Sequence, residues 1–230
     1  MRIPTQSLKR CLVAAMLTAT ATGVRAASVV TVDPGASWLG FMNVSELPAN
    51  GGAYVFGSPW TVTDLPATFS GDVLTLAPNS IDDPAEFWYV GGGGPGAPGN
   101  KIMNANVYVE TTGVYVGQEL TFTGIVLNNT LTDEYTARAF IKDFAPDYSS
   151  FNVEFADLVD GVFSISLETL ADPNRHVQFG FELTGPNVWI TDVGAKGIVQ
   201  ITGIPEPSAL ALMALSLGTL LAGKFRSGPH

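Results

Sequence analysis

The sequence predicts an all-β fold, an antiparallel two-sheet β-sandwich of the jelly-roll type over residues 27–203. Short segments of alternating polar and apolar residues recur along this region, and a period of two is typical of strands with one buried face. Turn-forming Gly, Pro, Asn and Asp separate the segments. The region contains neither the period of an amphipathic helix nor a repeat of fixed length, which argues against propellers and solenoids.

The alternation is clearest in residues 176–183, where four apolar side chains fall on one face of the predicted strand. The opposite face carries His176, Gln178 and Glu182, which we expect to be solvated. The predicted strands, in chain order, are residues 29–32, 38–44, 73–76, 106–110, 119–127, 135–143, 153–156, 162–168, 176–183 and 197–202.

The predicted sandwich is strongly acidic. The chain of 230 residues has a formal net charge of −10. Most basic residues lie near its ends, so residues 27–203 carry five basic residues against 20 acidic ones, a net charge of −15. Such a surface repels phosphate backbones, so we expect no nucleic-acid partner. Neutral ligands, cations or a hydrated matrix suit it better.

The first 26 residues have the organisation of a secretory signal peptide. Three basic residues among the first ten precede an apolar stretch, and Ala26 offers a small residue for cleavage. An uncleaved N-terminal anchor is the alternative. Cys11 is the only cysteine, so the mature region would have neither a disulfide nor a reactive thiol.

Residues 208–223 form an uncharged, apolar stretch that predicts a single transmembrane helix. A helix of this length rises about 24 Å, short of a hydrocarbon core of about 30 Å. Local thinning and snorkelling of Lys224 and Arg226 would close the gap. These basic residues place the far end in the cytoplasm and residues 27–203 outside. A buried core helix is the alternative.

Pro205, Glu206 and Pro207 precede this apolar stretch, and basic residues follow it. This order resembles the PEP-CTERM sorting domain of Gram-negative bacteria, which would cover residues 204–230. The resemblance implies export, membrane anchoring, and processing near the motif by an exosortase-type enzyme. It also implies a cell-surface or extracellular location associated with exopolysaccharide or biofilm.

No pattern in the sequence indicates catalysis, and we expect a non-enzymatic protein without a cofactor. Residues 27–203 hold one histidine, which excludes a zinc site with several imidazoles and leaves a Ser-His-Asp triad only one base. Calcium takes oxygen ligands from acid-rich turns, and Asp157 and Asp160 beside Gly161 are candidate ligands. The turns at residues 82–86 and 172–174 are similar in composition.

A Gly- and Pro-rich segment occupies residues 91–99. Gly94, Gly96 and Gly99 match G-x-G-x-x-G, but a dinucleotide site needs a helix next, and a predicted strand follows instead. We therefore expect a surface loop, with a linker between two domains as the alternative.

Trp88 and Tyr89 are the candidate ligand-binding residues. They precede the Gly-rich segment, and neighbouring residues of a strand point to opposite faces, so one ring should face outward. The fold resembles jelly-roll carbohydrate-binding sandwiches. The sequence thus predicts an exported surface or matrix protein. The alternatives are a glycan-binding module with a discrete site and, after it, a glycan-active enzyme.

Overall fold

A computed structural model describes residues 27–205, which form two six-stranded sheets. Two short 3₁₀ helices, Pro48–Asn50 and Ile190–Lys196, lie in the connections. The strands are β1 (Ser28–Thr31), β2 (Trp38–Glu46), β3 (Tyr54–Trp60), β4 (Ala67–Ser70), β5 (Val73–Leu76), β6 (Lys101–Thr112), β7 (Glu119–Asn129), β8 (Thr136–Phe144), β9 (Phe151–Asp157), β10 (Gly161–Glu168), β11 (His176–Pro186) and β12 (Val199–Thr202). The prediction of an all-β, two-sheet sandwich is confirmed.

Sheet A is built around β7, which pairs with β10 along one edge and with β1 and then β12 along the other. Strand β12 continues to β5 and β4. Sheet B has the order β3-β2-β6-β11-β8-β9. The strand pairs are antiparallel except β1 and β7, which are parallel. The strictly antiparallel expectation therefore fails for this pair.

The core lies between the sheets and is formed by the apolar side of each alternating strand. Phe122 of β7 and Phe163 of β10 meet Phe181 of β11, with ring centroids 5.2 to 5.8 Å apart. These contacts join sheet A to sheet B. Such tilted and edge-to-face aromatic pairs add to the burial of apolar area that holds the sheets together.

All ten predicted strands are present, and β3 and β4 were missed. Strand β3 contains Gly57 and Pro59, which usually argue against a strand. Proline is tolerated here because β3 forms an edge of sheet B, where its missing N–H breaks no central ladder. Residues 88–90, in contrast, form a turn with a single bridge from Tyr89 to Gly99, so they are not a strand.

The Gly-rich segment is a loop within one sandwich. Strands β2 and β6, on either side of it in sequence, pair with each other over nine residues, so it is not a linker between independent domains. The Gly96 N–H donates to Asp192 Oδ2 at 2.6 Å. Gly93 lies against the Trp189 ring, where a Cβ atom would be 2.4 Å from the indole.

The sorting and signal residues fall largely outside the described part of the chain. Outside the described residues lie the expected cleavage at Ala26, the motif residues Glu206 and Pro207, the apolar stretch 208–223, and the basic Lys224 and Arg226. Among residues 27–205, no helix has the length and apolarity needed to cross a membrane.

Candidate functional site

A cleft of about 490 Å³ opens on the outer face of sheet B, away from the core. Its volume is in the usual range for small-ligand sites. The side chains that line it come from β2, β6, β8, β9, β11 and the β8–β9 connection: Phe41, Asn43, Asn106, Tyr108, Glu110, Lys142, Phe144, Tyr148, Phe151 and Gln178.

The floor of the cleft is a connected set of amides. Asn104 Oδ1 accepts hydrogen bonds from Asn43 Nδ2 at 3.2 Å and from Asn106 Nδ2 at 2.6 Å. Asn104 Nδ2 donates to Thr184 Oγ1 at 2.7 Å. Because each amide is held by another strand, the floor presents polar groups in fixed orientations.

Charged side chains extend this hydrogen-bond network, and each of them has a partner of opposite charge. Lys142 Nζ donates to Asn106 Oδ1 at 2.8 Å and lies 3.5 Å from Glu182 Oε2. Arg138 Nε donates to Glu182 Oε1 at 3.0 Å. Burial lowers the pKa of the Lys142 ammonium, and the Glu182 carboxylate opposes that shift.

A second polar cluster forms one end of the cleft. Glu110 Oε2 accepts a hydrogen bond from Gln178 Nε2 at 2.7 Å, and Glu110 Oε1 accepts one from the Tyr148 hydroxyl at 3.1 Å. Burial and the neighbouring Glu110 carboxylate raise the pKa of Tyr148 to about 12. The Tyr148 ring stacks on His176, whose Nδ1 is hydrogen bonded to Thr112.

Tyr148 has a φ of 58°, in the left-handed region that is costly for a residue with a side chain. Its ring and hydroxyl contacts hold it there. Strained backbone of this kind clusters at binding and catalytic sites.

Aromatic side chains form two opposed walls over the polar floor. Phe41 stands on β2, while Phe144, Tyr148 and Phe151 stand on the β8–β9 side, with the Phe144 and Phe151 centroids 4.8 Å apart. Strands β2 and β8 are separated by three strand spacings, about 14 Å. The cleft therefore offers apolar contacts on both sides of its polar floor, which suits a ligand that has both apolar surface and hydrogen-bonding groups.

All five basic residues between 27 and 205 are ion-paired. Besides Arg138 and Lys142, Lys101 binds Glu46 at 3.1 Å, Arg175 binds Asp143 at 2.8 Å and Lys196 binds Glu134 at 2.6 Å. Only four acids satisfy these five cations, so the remaining carboxylates in this range give the surface its negative charge.

The predicted ligand-binding residues Trp88 and Tyr89 do not line this cleft. Tyr89 is fully buried, and its hydroxyl donates to the Ile81 carbonyl at 2.6 Å and accepts the Ile81 N–H at 3.2 Å. Trp88 is partly buried and packs edge-on against Phe87. Both residues lie in a turn and not in a strand, so the alternation of neighbouring strand residues does not apply to them.

Of the two proposed calcium residues, Asp160 has a hydrogen-bond partner within the protein. Asp160 Oδ1 accepts the Asn129 N–H at 2.9 Å and so closes the turn before β10. Asp157 ends β9 opposite Arg138. Within residues 27–205, no three acidic, histidine or cysteine side chains converge in an arrangement that would hold a metal.

Sequence reasoning missed the cleft although it had assigned the correct face to its residues. Gln178 and Glu182 were expected to be solvated, yet each is less than 8% exposed, and so is the neighbouring Asn106. The sequence did contain a signal for the cleft, because amide and charged side chains recur along the two long strands β6 and β11. The alternation does not show that these strands are neighbours or that the β8–β9 hairpin lies beside them. Both facts depend on long-range strand pairing.

No family model and no curated protein matches the chain.

Proposed function

We propose that this chain is an exported cell-surface or extracellular-matrix protein whose jelly-roll-type sandwich binds a saccharide in the cleft of sheet B. The cleft supports the binding role through its opposed aromatic walls over a floor of fixed amides. The signal-like residues 1–26 and the PEP-CTERM-like residues 204–230 support the export and the processing by an exosortase-type enzyme.

A saccharide fits this chemistry better than a fully apolar ligand. Sugar rings have C–H faces that pack on aromatic rings, and hydroxyl edges that exchange hydrogen bonds with amides and carboxylates. Phe41 and Tyr148 provide the apolar contacts, while Asn106 and Gln178 provide polar atoms between them. An apolar ligand would remove these polar groups from water and offer no hydrogen bond to the donor and acceptor sites that their internal bonds leave open, which is costly.

The ligand should be neutral or cationic. The acid excess of residues 27–203 repels anionic polymers at moderate ionic strength, and the only ammonium in the cleft, Lys142, is already engaged by Asn106 and Glu182. We expect anionic glycans to bind only when calcium bridges the two negative partners.

Binding without turnover is the form of this function that the geometry favours. Both carboxylates of the cleft region already have partners. Glu110 accepts hydrogen bonds from Gln178 and Tyr148. Glu182 forms ion pairs with Arg138 and Lys142. Glycoside hydrolysis needs one carboxyl group held as an acid and a second acting on the sugar.

The test is a glycan array, followed by calorimetric titration and a turnover assay on the strongest hit. Tyr148→Ala and Gln178→Ala should each weaken affinity at least about tenfold, the equivalent of 1.4 kcal/mol. Phe87→Ala is the control, because Phe87 is similarly exposed, 44% against 48% for Tyr148, and lies outside the cleft beside Trp88. If no glycan binds, the chain is a matrix component without a discrete binding site. If product forms in the turnover assay, the chain is an enzyme.

A further inference from the structure

The outer face of sheet A lacks charge over most of its area, unlike the rest of this acidic sandwich. Its outward strand positions carry Thr, Ser, Val, Ile, Leu, Gln and Asn. The exceptions are Glu119 and Glu168, which oppose each other at one end of β7 and β10. Val29 and Val162 are 67% and 69% exposed on this face, so apolar side chains point into solvent there.

The last described residues leave the sandwich in the middle of sheet A. Strands β1 and β12 lie on the same edge of β7, where β1 pairs with residues 120–123 and β12 with residues 125–129. They run toward each other and meet opposite Gly124. A Cβ atom on Gly203 would lie 2.4 Å from the Val32 carbonyl. The chain after Thr202 therefore cannot continue along the sheet.

The chain turns instead toward the outer face. The Ile204 N–H donates to Thr31 Oγ1 at 2.9 Å. Val30, the neighbour of Thr31, packs against the core, so the Thr31 side chain points outward because side chains alternate along a strand. The described chain thus ends beside the uncharged face.

We propose that the outer face of sheet A rests on the lipid surface into which the apolar residues 208–223 insert. This inference depends on the anchoring role given above to those residues. The chain from Ile204 to Ser208 spans at most about 14 Å when fully extended. An anchored chain must therefore hold the region around Ile204 within that distance of the start of the anchor.

Electrostatic repulsion also favours the outer face of sheet A as the side that approaches the bilayer. Exposed charges interact over a Debye length of about 8–10 Å at ordinary ionic strength, comparable to the reach of this connection. A body of net charge −15 approaches an anionic bilayer most favourably with its uncharged face. Val29 and Val162 then contact the interface, which removes apolar surface from water.

The orientation places the cleft on the opposite side of the sandwich. Sheet B is the second layer, about 10 Å beyond sheet A, and its outer face points away from the bilayer. A membrane-held protein would therefore present the cleft to the aqueous compartment, away from the bilayer to which it is anchored.

Depth-dependent fluorescence quenching tests this orientation on the full chain. Cys11 is the only cysteine, so Cys11→Ser with Val162→Cys gives one labelling site, and Leu39→Cys, on the outer face of sheet B and 45% exposed, gives the control. Each labelled protein is reconstituted into vesicles of phosphatidylcholine and phosphatidylglycerol containing a headgroup nitroxide. Ser164→Cys provides a second probe of the same face.

We expect the labels at 162 and 164 to be quenched several-fold more strongly than the label at 39. Equal quenching in vesicle-bound protein overturns the orientation while leaving the anchor intact. Failure of the chain to associate with vesicles overturns the anchor and this inference together. A label at 162 that is shielded without lipid shows that a second copy of the chain covers the face, and also overturns the proposal.

Discussion

The ring of Tyr148 lies nearly parallel to the imidazole of His176, with centroids 4.5 Å apart and 4° between the planes. The two side chains come from the β8–β9 connection and from the start of β11. Together with the hydrogen bond from Tyr148 to Glu110, this stacking fixes a left-handed loop residue beside the cleft. One wall of the cleft is therefore formed before a ligand arrives, which lowers the entropy lost on binding.

Tyr148→Phe should reduce the loss of stability at alkaline pH. The pKa of Tyr148 is raised to about 12 in the folded protein, from 10.0. A raised pKa contributes stability that is complete below pH 10 and is lost as pH rises toward 12, because the unfolded chain gives up its proton first. Urea unfolding near neutral pH and at about pH 11 should show a smaller alkaline loss in the variant.

Tyr54→Phe is the matched control for that measurement, since the Tyr54 side chain is 64% exposed on the β3 edge. Its alkaline loss should equal that of the unmodified chain. Equal losses in both variants would show that Tyr148 titrates alike in the folded and unfolded states.

Replacement of the aromatic pair before the Gly-rich loop should reduce stability rather than saccharide affinity. Tyr89→Phe removes the partner of the Ile81 carbonyl and N–H groups, at a cost of about 1–3 kcal/mol for buried polar groups left unsatisfied. Trp88→Ala empties a site packed against the core and should cost about 3–5 kcal/mol. Denaturant unfolding and calorimetric titration separate the two effects. Lost binding with unchanged unfolding of the Trp88 variant would restore it as a ligand contact.

The buried pair of Asp143 and Arg175 should be far more sensitive than the exposed pair of Glu134 and Lys196. Asp143 is 1% exposed and also accepts the Leu170 N–H at 2.9 Å. Arg175→Met leaves this carboxylate buried without its cation, and should cost about 3–5 kcal/mol.

Lys196→Met is the control for that substitution, because its pair is 32% and 41% exposed. Surface pairs contribute about 0–1 kcal/mol. Chemical denaturation of the two variants compares the costs directly. Similar values would mean that Asp143 finds water or another donor when Arg175 is removed.

The sequence predicted the layers of this fold better than its site, and particular residues show why. The alternation of Phe179 and Phe181 with Gln178 and Glu182 set the two faces of β11 without any knowledge of its neighbours. The cleft needs Asn106, Lys142 and Glu182 to converge from β6, β8 and β11, and strand order is set by the whole chain. Trp88 and Tyr89 were expected in a strand because large residues follow one another there, whereas the chain forms a turn in which Tyr89 is buried.

Gly180 allows β11 and β6 to approach closely beside the cleft. It lies on the outward side of β11 opposite Tyr108 of β6, and a Cβ atom there would be 2.2 Å from the Val107 carbonyl and 2.9 Å from Tyr108 Cβ. Gly180→Ala must therefore push β6 away or displace Tyr108, which lines the cleft. Overpacking of this kind costs about 1–3 kcal/mol, and the displaced ring should lower saccharide affinity as well.

Gly94→Ala is the control for Gly180→Ala, because nothing lies within 4 Å of a Cβ atom at that position. It should change neither stability nor affinity by more than about 0.5 kcal/mol. Thermal unfolding measures the first quantity and titration of the array hit measures the second. Unchanged stability in the Gly180 variant would mean that β6 and β11 separate easily at this point. In that case the floor of the cleft would be adaptable, and its fixed amides could not be the basis of saccharide selection.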